Sequence, residues 1–463
     1  MSHYAVVAPA LYSHFHALQA LAGALIARGH RVTFVHQIDA RTLITDARVE
    51  FEPVGGDTHP AGALSRTHRL AASPSGLSIR RLIADMAATT DMLCRALPAA
   101  LARLDVDGVI ADQMEAAGGL VAEGLNLPFV SVACALPVER EPGLPLPVMP
   151  FRYATDERAL KRYAASETVY DRLMRPHARV IAAHAEAFGL APRHALHECL
   201  SPLARLSQTP AALDFPRRDW PPHAHAVGPL RAADRDRPTS TEPAWPLDPA
   251  RPLVFASLGT LQGHRYRLFA RIAKACRRLD VALVIAHCGG LTPEQATRLE
   301  RLGATFVTDF ADQRATLAQA DAVVTHGGLN TVIDAIAADT PILVIPLAFD
   351  QPGVAARVAY HGIGERLSRF ASHRRIARTL ATLLDAPACL DVSNGRQRMA
   401  ALRHSLEDAG GAAYAATLVE RAIATGRPQT NDTPRPEEAT MTPARVPSRP
   451  AADRTNVAAE PAP

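Results

Sequence analysis

Neither sign of charge dominates this sequence. Its 50 Lys and Arg against 46 Asp and Glu leave +4 over 463 residues, and the arginines are scattered rather than run together. A phosphate-tracking surface of the kind that binds nucleic acid is therefore not expected. Cysteine is scarce as well: the 6 that occur, Cys94, Cys134, Cys199, Cys276, Cys288 and Cys389, never form a C-x-x-C pair. That dispersal argues against a metal cluster or a secreted disulfide framework and for a reducing compartment. Apolar runs such as Leu127–Leu136 fall short of the about 20 residues that a membrane-spanning helix needs. The first residues lack a basic stretch followed by an apolar one, so no secretory leader is expected. These absences point to a cytoplasmic protein that touches a membrane, if at all, only from its surface.

With 48% hydrophobic and 21% charged residues, the composition is that of a globular protein, and the length suffices for two ordinary domains. Tyr4–Ala8 is a short apolar strand ended by Pro9. The loop Ala10–Phe15 leads to a helix with apolar positions Leu18, Leu21, Leu25 and Ile26, and Val32–Val35 is the next strand. This βαβ opening predicts a parallel sheet with a right-handed crossover. Further along, Asp57–Ser78 reads as a long loop over a site, Ile79–Leu104 as a helix, Gly108–Ala111 and Phe129–Ala133 as strands, and Pro137–Pro150 as a stiff apolar wall. Two helical segments fill Asp156–Phe188. Arg231–Pro252, rich in Pro, Asp, Thr and Arg without periodicity, marks a domain boundary. Alternation resumes beyond it, so two doubly wound α/β domains facing across a cleft are expected: 1–228, a linker at 229–252, and 253–426 with returning helices. Residues 427–463, poor in large apolar side chains, should be a disordered tail.

The second half contains the stretch with most chemistry, Phe310–Gln351. A short strand, Ala322–Val324, runs into Thr325-His326-Gly327-Gly328, and a helical run follows at once from Asn330. A strand feeding through glycines into a helix leaves backbone N–H groups and a partial positive charge at the helix start, which suits a phosphate. The glycines permit close backbone approach, and His326, Asn330 and Thr331 can add side-chain donors. The next strand, Pro341–Ile345, delivers Asp350-Gln351, a carboxylate beside a carboxamide that suits vicinal hydroxyls. By itself the turn is equally an ordinary strand-to-helix connection.

Ligands of a parallel sheet bind at the carboxyl ends of its strands. His14 and His16 follow the first strand, and Asp112 follows Gly108–Ala111, so all three belong to one edge. A neutral imidazole is suited to take a proton from an alcohol, with a carboxylate behind it to fix the tautomer. Spacing does not separate His14 from His16, and a helix cap at His14 is the plainer alternative.

These residues resemble the signature of family 1 glycosyltransferases, UDP-sugar-dependent enzymes with the GT-B fold. The plant form runs WxPQ, HCGWNS, E, DQ. Phe310 stands where its Trp stacks on uracil, and Gln313 stands at the Gln. His326, Gly328, Asn330 and Thr331 match the diphosphate-binding positions, Asp334 replaces the ribose-gripping Glu, and Asp350-Gln351 match the sugar pair. Ser257-Leu258-Gly259-Thr260 resembles the SxGS loop that approaches the diphosphate. Ser13-His14-Phe15-His16 aligns with the segment that carries the base, which places the base at His14 and its partner at Asp112. Gly29-His30-Arg31-Val32-Thr33 matches a GHxVT segment read as structural. The sequence departs from the pattern at Phe310 and Leu329, both Trp in plants, and at Val354, where Asn usually follows the pair.

The resemblance implies UDP-glucose as co-substrate, inversion at the sugar, and neither metal nor other cofactor. Segments such as SHYAVVAP, TTDMLCRALPAA and LAFDQPGVAARVAYHGIG are similar to those of members that glycosylate hydroxylated carotenoids, which implies such an acceptor. The residues themselves show an apolar, proline-rich wall at Leu136–Phe151, compatible with any lipophilic alcohol: a macrolide, sterol or phenol remains open. A UDP-sugar epimerase of the same fold would need a carboxylate-rich sugar site instead of the His-Asp pair. A non-catalytic UDP-sugar binder would not need that pair at all.

Overall fold

The computed structural model describes residues 1–232, 245, 246, 248, 250–385 and 392–431, leaving aside the side chains of 392–394. β1 (His3–Val7), β2 (Arg31–His36), β3 (Glu50–Pro53), β4 (Gly108–Asp112), β5 (Phe129–Ala133), β6 (Arg205–Ser207) and β7 (Ala224–Ala226) form one sheet in the order β3-β2-β1-β4-β5-β6-β7. β8 (Leu253–Ser257), β9 (Ala282–Ala286), β10 (Phe306–Thr308), β11 (Ala322–Thr325), β12 (Ile342–Val344) and β13 (Gly364–Arg366) form a second, ordered β10-β9-β8-β11-β12-β13. Every pairing is parallel, as in Tyr4 opposite Gly108 and Val323 opposite Ile342. The inner strands β1, β4 and β8 are buried throughout, as sheets covered on both faces require.

The helices of the first half are α1 (Tyr12–Ile26), α2 (Leu64–Ala72), α3 (Leu77–Leu104), α4 (Ala116–Gly124) and α5 (Glu157–Ala187). Those that follow are α6 (Gly259–Gln262), α7 (Tyr266–Leu279), α8 (Pro293–Leu302), α9 (Gln313–Leu317), α10 (Leu329–Ala337), α11 (Gln351–His361), α12 (His373–Leu384), α13 (Val392–Glu407) and α14 (Gly411–Thr425). The last returns to the first half. Ala415, Leu418, Val419 and Ala422 share a core with Leu18, Leu21 and Leu25 of α1. Gly108 in β4 lets Ile423 approach, since a Cβ there would lie 2.8 Å from it. The GHxVT segment is part of this junction, with His30 Nε2 2.9 Å from Glu420 and Arg28 on the same carboxylate at 2.6 Å.

Three elements differ from the sequence reading. α1 begins at Tyr12, not after Phe15, so His14 sits in its first turn. Leu11 has extended backbone and starts the helix without a side-chain cap, and the carbonyl of Leu11 accepts from the His14 and Phe15 N–H groups. The span Asp57–Ser78 contains α2, held by Asp39, which accepts from the Gly62 and Leu64 N–H groups. Asp156–Phe188 is one helix: Pro176 lies inside α5, and packing against α3 outweighs the single hydrogen bond that a proline removes. The three-residue strands β6 and β7 are too short to show a period in the sequence. Most of the linker span 229–252, and the tail beyond 431, lie outside the described residues.

α11 binds the second half to the first. Arg357, nearly inaccessible on its side chain, places Nη2 2.5 Å from Asp214 Oδ1 and lies over the Phe215 ring. Asp214 Oδ2 also accepts from Arg217 Nε at 2.6 Å. A Cβ at Gly353 would lie 2.1 Å from the Pro147 carbonyl, so glycine is required for this contact. Burial opposes ionisation of Asp214, but the two guanidiniums overcome it and hold the carboxyl at about 2.

Asp214→Ala should leave Arg357 buried and unpaired and cost about 3–5 kcal/mol, read as a lowered midpoint in urea. Because the folded pKa of Asp214 is depressed, its contribution is full above the ordinary carboxylate range and disappears as pH falls through about 2. The gap between wild type and variant should therefore narrow in acid.

Candidate active site

Both sheets reverse their strand order at one place, between β1 and β4 in the first and between β8 and β11 in the second. Connections leave such a pair toward opposite faces, which opens a crevice at the carboxyl ends. One cavity of about 1290 Å³, lined by residues from both crevices, exceeds the roughly 300–1,000 Å³ of a single-ligand pocket. It has room for two substrates at once.

β1 runs into α1 and brings His14 to the edge, and Asp112 is the last residue of the neighbouring β4. His14 Nδ1 lies 2.7 Å from Asp112 Oδ2, with both side chains buried. The other oxygen, Oδ1, accepts from the Met114 N–H at 2.8 Å, which fixes the carboxylate plane. With Nδ1–H donated to Asp112, Nε2 keeps its lone pair. Burial pulls the imidazole pKa down, yet the charge and hydrogen bond of Asp112, with a contribution from Asp350, leave it above the ordinary histidine value. His16 takes no part in this pair. Its ring stacks on Tyr12, and its pKa is depressed by the desolvating walls of the cleft and then by the Arg231 charge. Cys134 brings its sulfur within 4.8 Å of the ligand atoms of His14 and Asp112. Burial lifts that thiol well above its usual range, which keeps it neutral.

On the opposite wall, β11 ends in the His326 turn. A Cβ at Gly259 would lie 2.7 Å from the imidazole and one at Gly328 2.8 Å, so the ring is held between two glycines. Gly259 also has φ +71°, which favours glycine. Enclosure lowers the His326 pKa to about 4, with a hydrogen bond to the Ser257 backbone opposing the shift. The ring is therefore neutral at pH 7 and brings no charge to the turn. Thr260 and Phe310 line the same cavity, and Phe310, 68% exposed, offers an open ring face.

Several of the residues singled out in the sequence bind one another. Gln313 Nε2 donates to Asp334 Oδ2 at 2.6 Å, and Thr331 donates to Gln313 Oε1 at 3.1 Å. Gln351 Oε1 accepts from the Leu347 and Ala348 N–H groups, so its NH₂ is the part left to act as a donor. Asp350 Oδ2 accepts from the Leu136 N–H across the cleft at 3.1 Å, and its enclosure raises its pKa against that bond and the charge of His14. Arg231, read from the sequence as the start of a linker, lies in the cavity and bonds Asn330 and Asp334. Its only signal was a single arginine directly after Val227-Gly228-Pro229-Leu230.

The proline-rich wall lines the cavity through Leu136, Val138, Leu146, Pro147 and Val148. Opposite, α3 and α5 contribute Leu82, Met86, Met174 and Ala178, which the sequence did not bring forward. This methionine-bearing surface is apolar and adaptable. No helix among the described residues is long and apolar enough to cross a membrane.

The family model described as UDP-glucoronosyl and UDP-glucosyl transferase matches residues 180–389. A zeaxanthin glucosyltransferase from Pantoea ananas is 54% identical over 92% of this chain and 97% of its own length. One from Pseudescherichia vulneris is 52% identical over 92% and 98%. Among solved structures, the glycotransferase of kitacinnamycin superposes with a TM-score of 0.67 at 23% identity, over 91% of this chain and 98% of that one. Full-length similarity above half identity, together with the two parallel sheets and their shared cleft, shows that the chain belongs to the UDP-sugar-dependent family 1 glycosyltransferases, with the GT-B fold.

Proposed function

We propose that this chain moves glucose from UDP-glucose to the ring hydroxyls of zeaxanthin, with inversion, giving first the mono- and then the diglucoside. The observation that carries the mechanism is the 2.7 Å His14–Asp112 pair sharing a cavity with the His326 turn. The acceptor rests on the similarity to the two zeaxanthin glucosyltransferases and fits the apolar lining. His14 Nε2 takes the hydroxyl proton as the acceptor oxygen attacks the anomeric carbon. The bond from that carbon to the diphosphate breaks on the opposite face, and UDP leaves with the electron pair. Asp112 stabilises the imidazolium as it forms. The α10 terminus, the glycine N–H groups and neutral His326 receive the developing negative charge, so the reaction asks for no metal or further cofactor. In this reading Phe310 stacks on the base, Asp334 faces the ribose, and Asp350 with the Gln351 amide faces the glucose hydroxyls. The enzyme works in the cytoplasm, at the surface of the membrane that holds its acceptor.

His14→Ala should lower kcat about 100- to 10,000-fold, the worth of a positioned base, while UDP binding by calorimetry is unchanged. In the wild type, kcat/KM should fall as pH drops through a value above about 6.5, because the base must be neutral and its pKa is raised. Asp112→Asn should move that limb downward and reduce the rate less than His14→Ala does.

His326→Ala should cost about 100-fold in kcat, as for loss of one donor to a developing anion. An unchanged kcat/KM would remove His326 from the diphosphate site.

Zeaxanthin has one hydroxyl on each end ring, and only one end reaches His14 at a time. A time course resolved by chromatography and mass should therefore show free monoglucoside before diglucoside, with β-carotene inert. Diglucoside without free monoglucoside would contradict release between transfers, and no product from any hydroxycarotenoid would overturn the acceptor class.

A further inference from the structure

Arg231 is rooted in the half of the molecule that carries the base. Gln208, at the end of β6, is fully buried. It donates from Nε2 to the Cys134 carbonyl at 2.8 Å, and its Oε1 accepts from the Leu230 N–H at 3.1 Å and from Arg231 Nη1 at 3.4 Å. From that base the guanidinium reaches the first turn of α10. Nη1 donates to Asn330 Oδ1 at 3.2 Å, while Nη2 donates to the Asn330 carbonyl at 3.3 Å and to Asp334 Oδ1 at 3.1 Å. Gln313 holds the other Asp334 oxygen and receives Thr331. One cation thus completes a connected set of bonds through Asn330, Asp334, Gln313 and Thr331.

A carboxylate that receives ribose hydroxyls must be aimed. The fixed fork of a guanidinium does this, whereas a lysine ammonium supplies charge without the fork. Each Asp334 oxygen accepts one of these bonds and keeps acceptor capacity for a ligand hydroxyl. Asn330 is held at both its side chain and its carbonyl, in the turn where the partial charge of α10 is concentrated.

Resting on the donor reading above, we propose that Arg231 is a positioning residue for the nucleoside diphosphate: it fixes Asn330 and Asp334 for the diphosphate and ribose, so nucleotide affinity depends on a side chain rooted beside the dyad.

The test is UDP titration by calorimetry, with steady-state kinetics and a melting curve, on the full chain. Arg231→Met keeps most of the length without charge or donors. It should raise the UDP Kd and the UDP-glucose KM about tenfold, the scale of one buried charge-assisted bond, with kcat within about threefold of wild type. Arg231→Lys, which keeps the charge and is the less disruptive change, should recover part of the affinity. In a double variant with Asp334→Asn, the two losses should fall well short of multiplying, because the residues act as a unit. Wild type that binds UDP beside a folded Arg231→Met variant of equal affinity overturns this proposal alone, as do losses that multiply in full. If Arg231→Met does not fold, Arg231→Lys with wild-type affinity overturns it. Wild type that fails to bind UDP overturns the donor reading and this proposal with it.

Discussion

A parallel sheet whose strand order reverses sends the connections on either side of the reversal to opposite faces, and no backbone covers the gap between them. Both sheets of this chain are built that way, and the residues of the candidate site lie at the reversal. His14 and Asp112 are 98 residues apart in sequence but come from β1 and β4, the pair that flanks one gap. Gly259 and His326 come from β8 and β11, the pair that flanks the other. The Asp350 carboxylate then accepts from the Leu136 N–H across the cleft. Without the two reversals these groups would sit on separate covered surfaces.

The two central histidines show how far surroundings decide chemistry. His14 starts a helix, where the dipole disfavours a positive charge, and it is buried, which disfavours it further. The adjoining carboxylate overcomes both and leaves a stronger base than free imidazole. His326 is enclosed without a carboxylate partner, and its pKa falls to about 4. One ring holds a proton more readily than free imidazole and the other stays neutral at pH 7, although the residue type is the same.

What could be read from the sequence was local. The strand, two glycines and helix around His326 lie within one unbroken stretch, from Ala322 to Ala337, so their geometry is dictated by neighbours in the chain. The parallel sheets follow from the alternation of apolar runs and helical periods. His14 and His16 could not be separated from spacing, because the choice depends on where α1 begins; with the helix starting at Tyr12, only His14 meets Asp112. Arg231 was missed for the opposite reason. Its meaning lies in partners at 208, 330 and 334, and nothing adjacent to it announces them. Asp156–Phe188 reads as two helical segments but forms the single α5, because packing against α3 is a tertiary effect that local sequence does not contain.

The position of α14 bears on how the protein is made. Ala415, Leu418, Val419 and Ala422 finish a core begun by β1 and α1, so a helix made early in synthesis waits for one made much later. Until then the part of α1 that packs against α14 has no cover, although β1 and β2 already lie against the rest of the helix. The two halves cannot mature as beads on a string. Exchange of halves between relatives would have to carry α14 along with the first half, although the gene places it after the second.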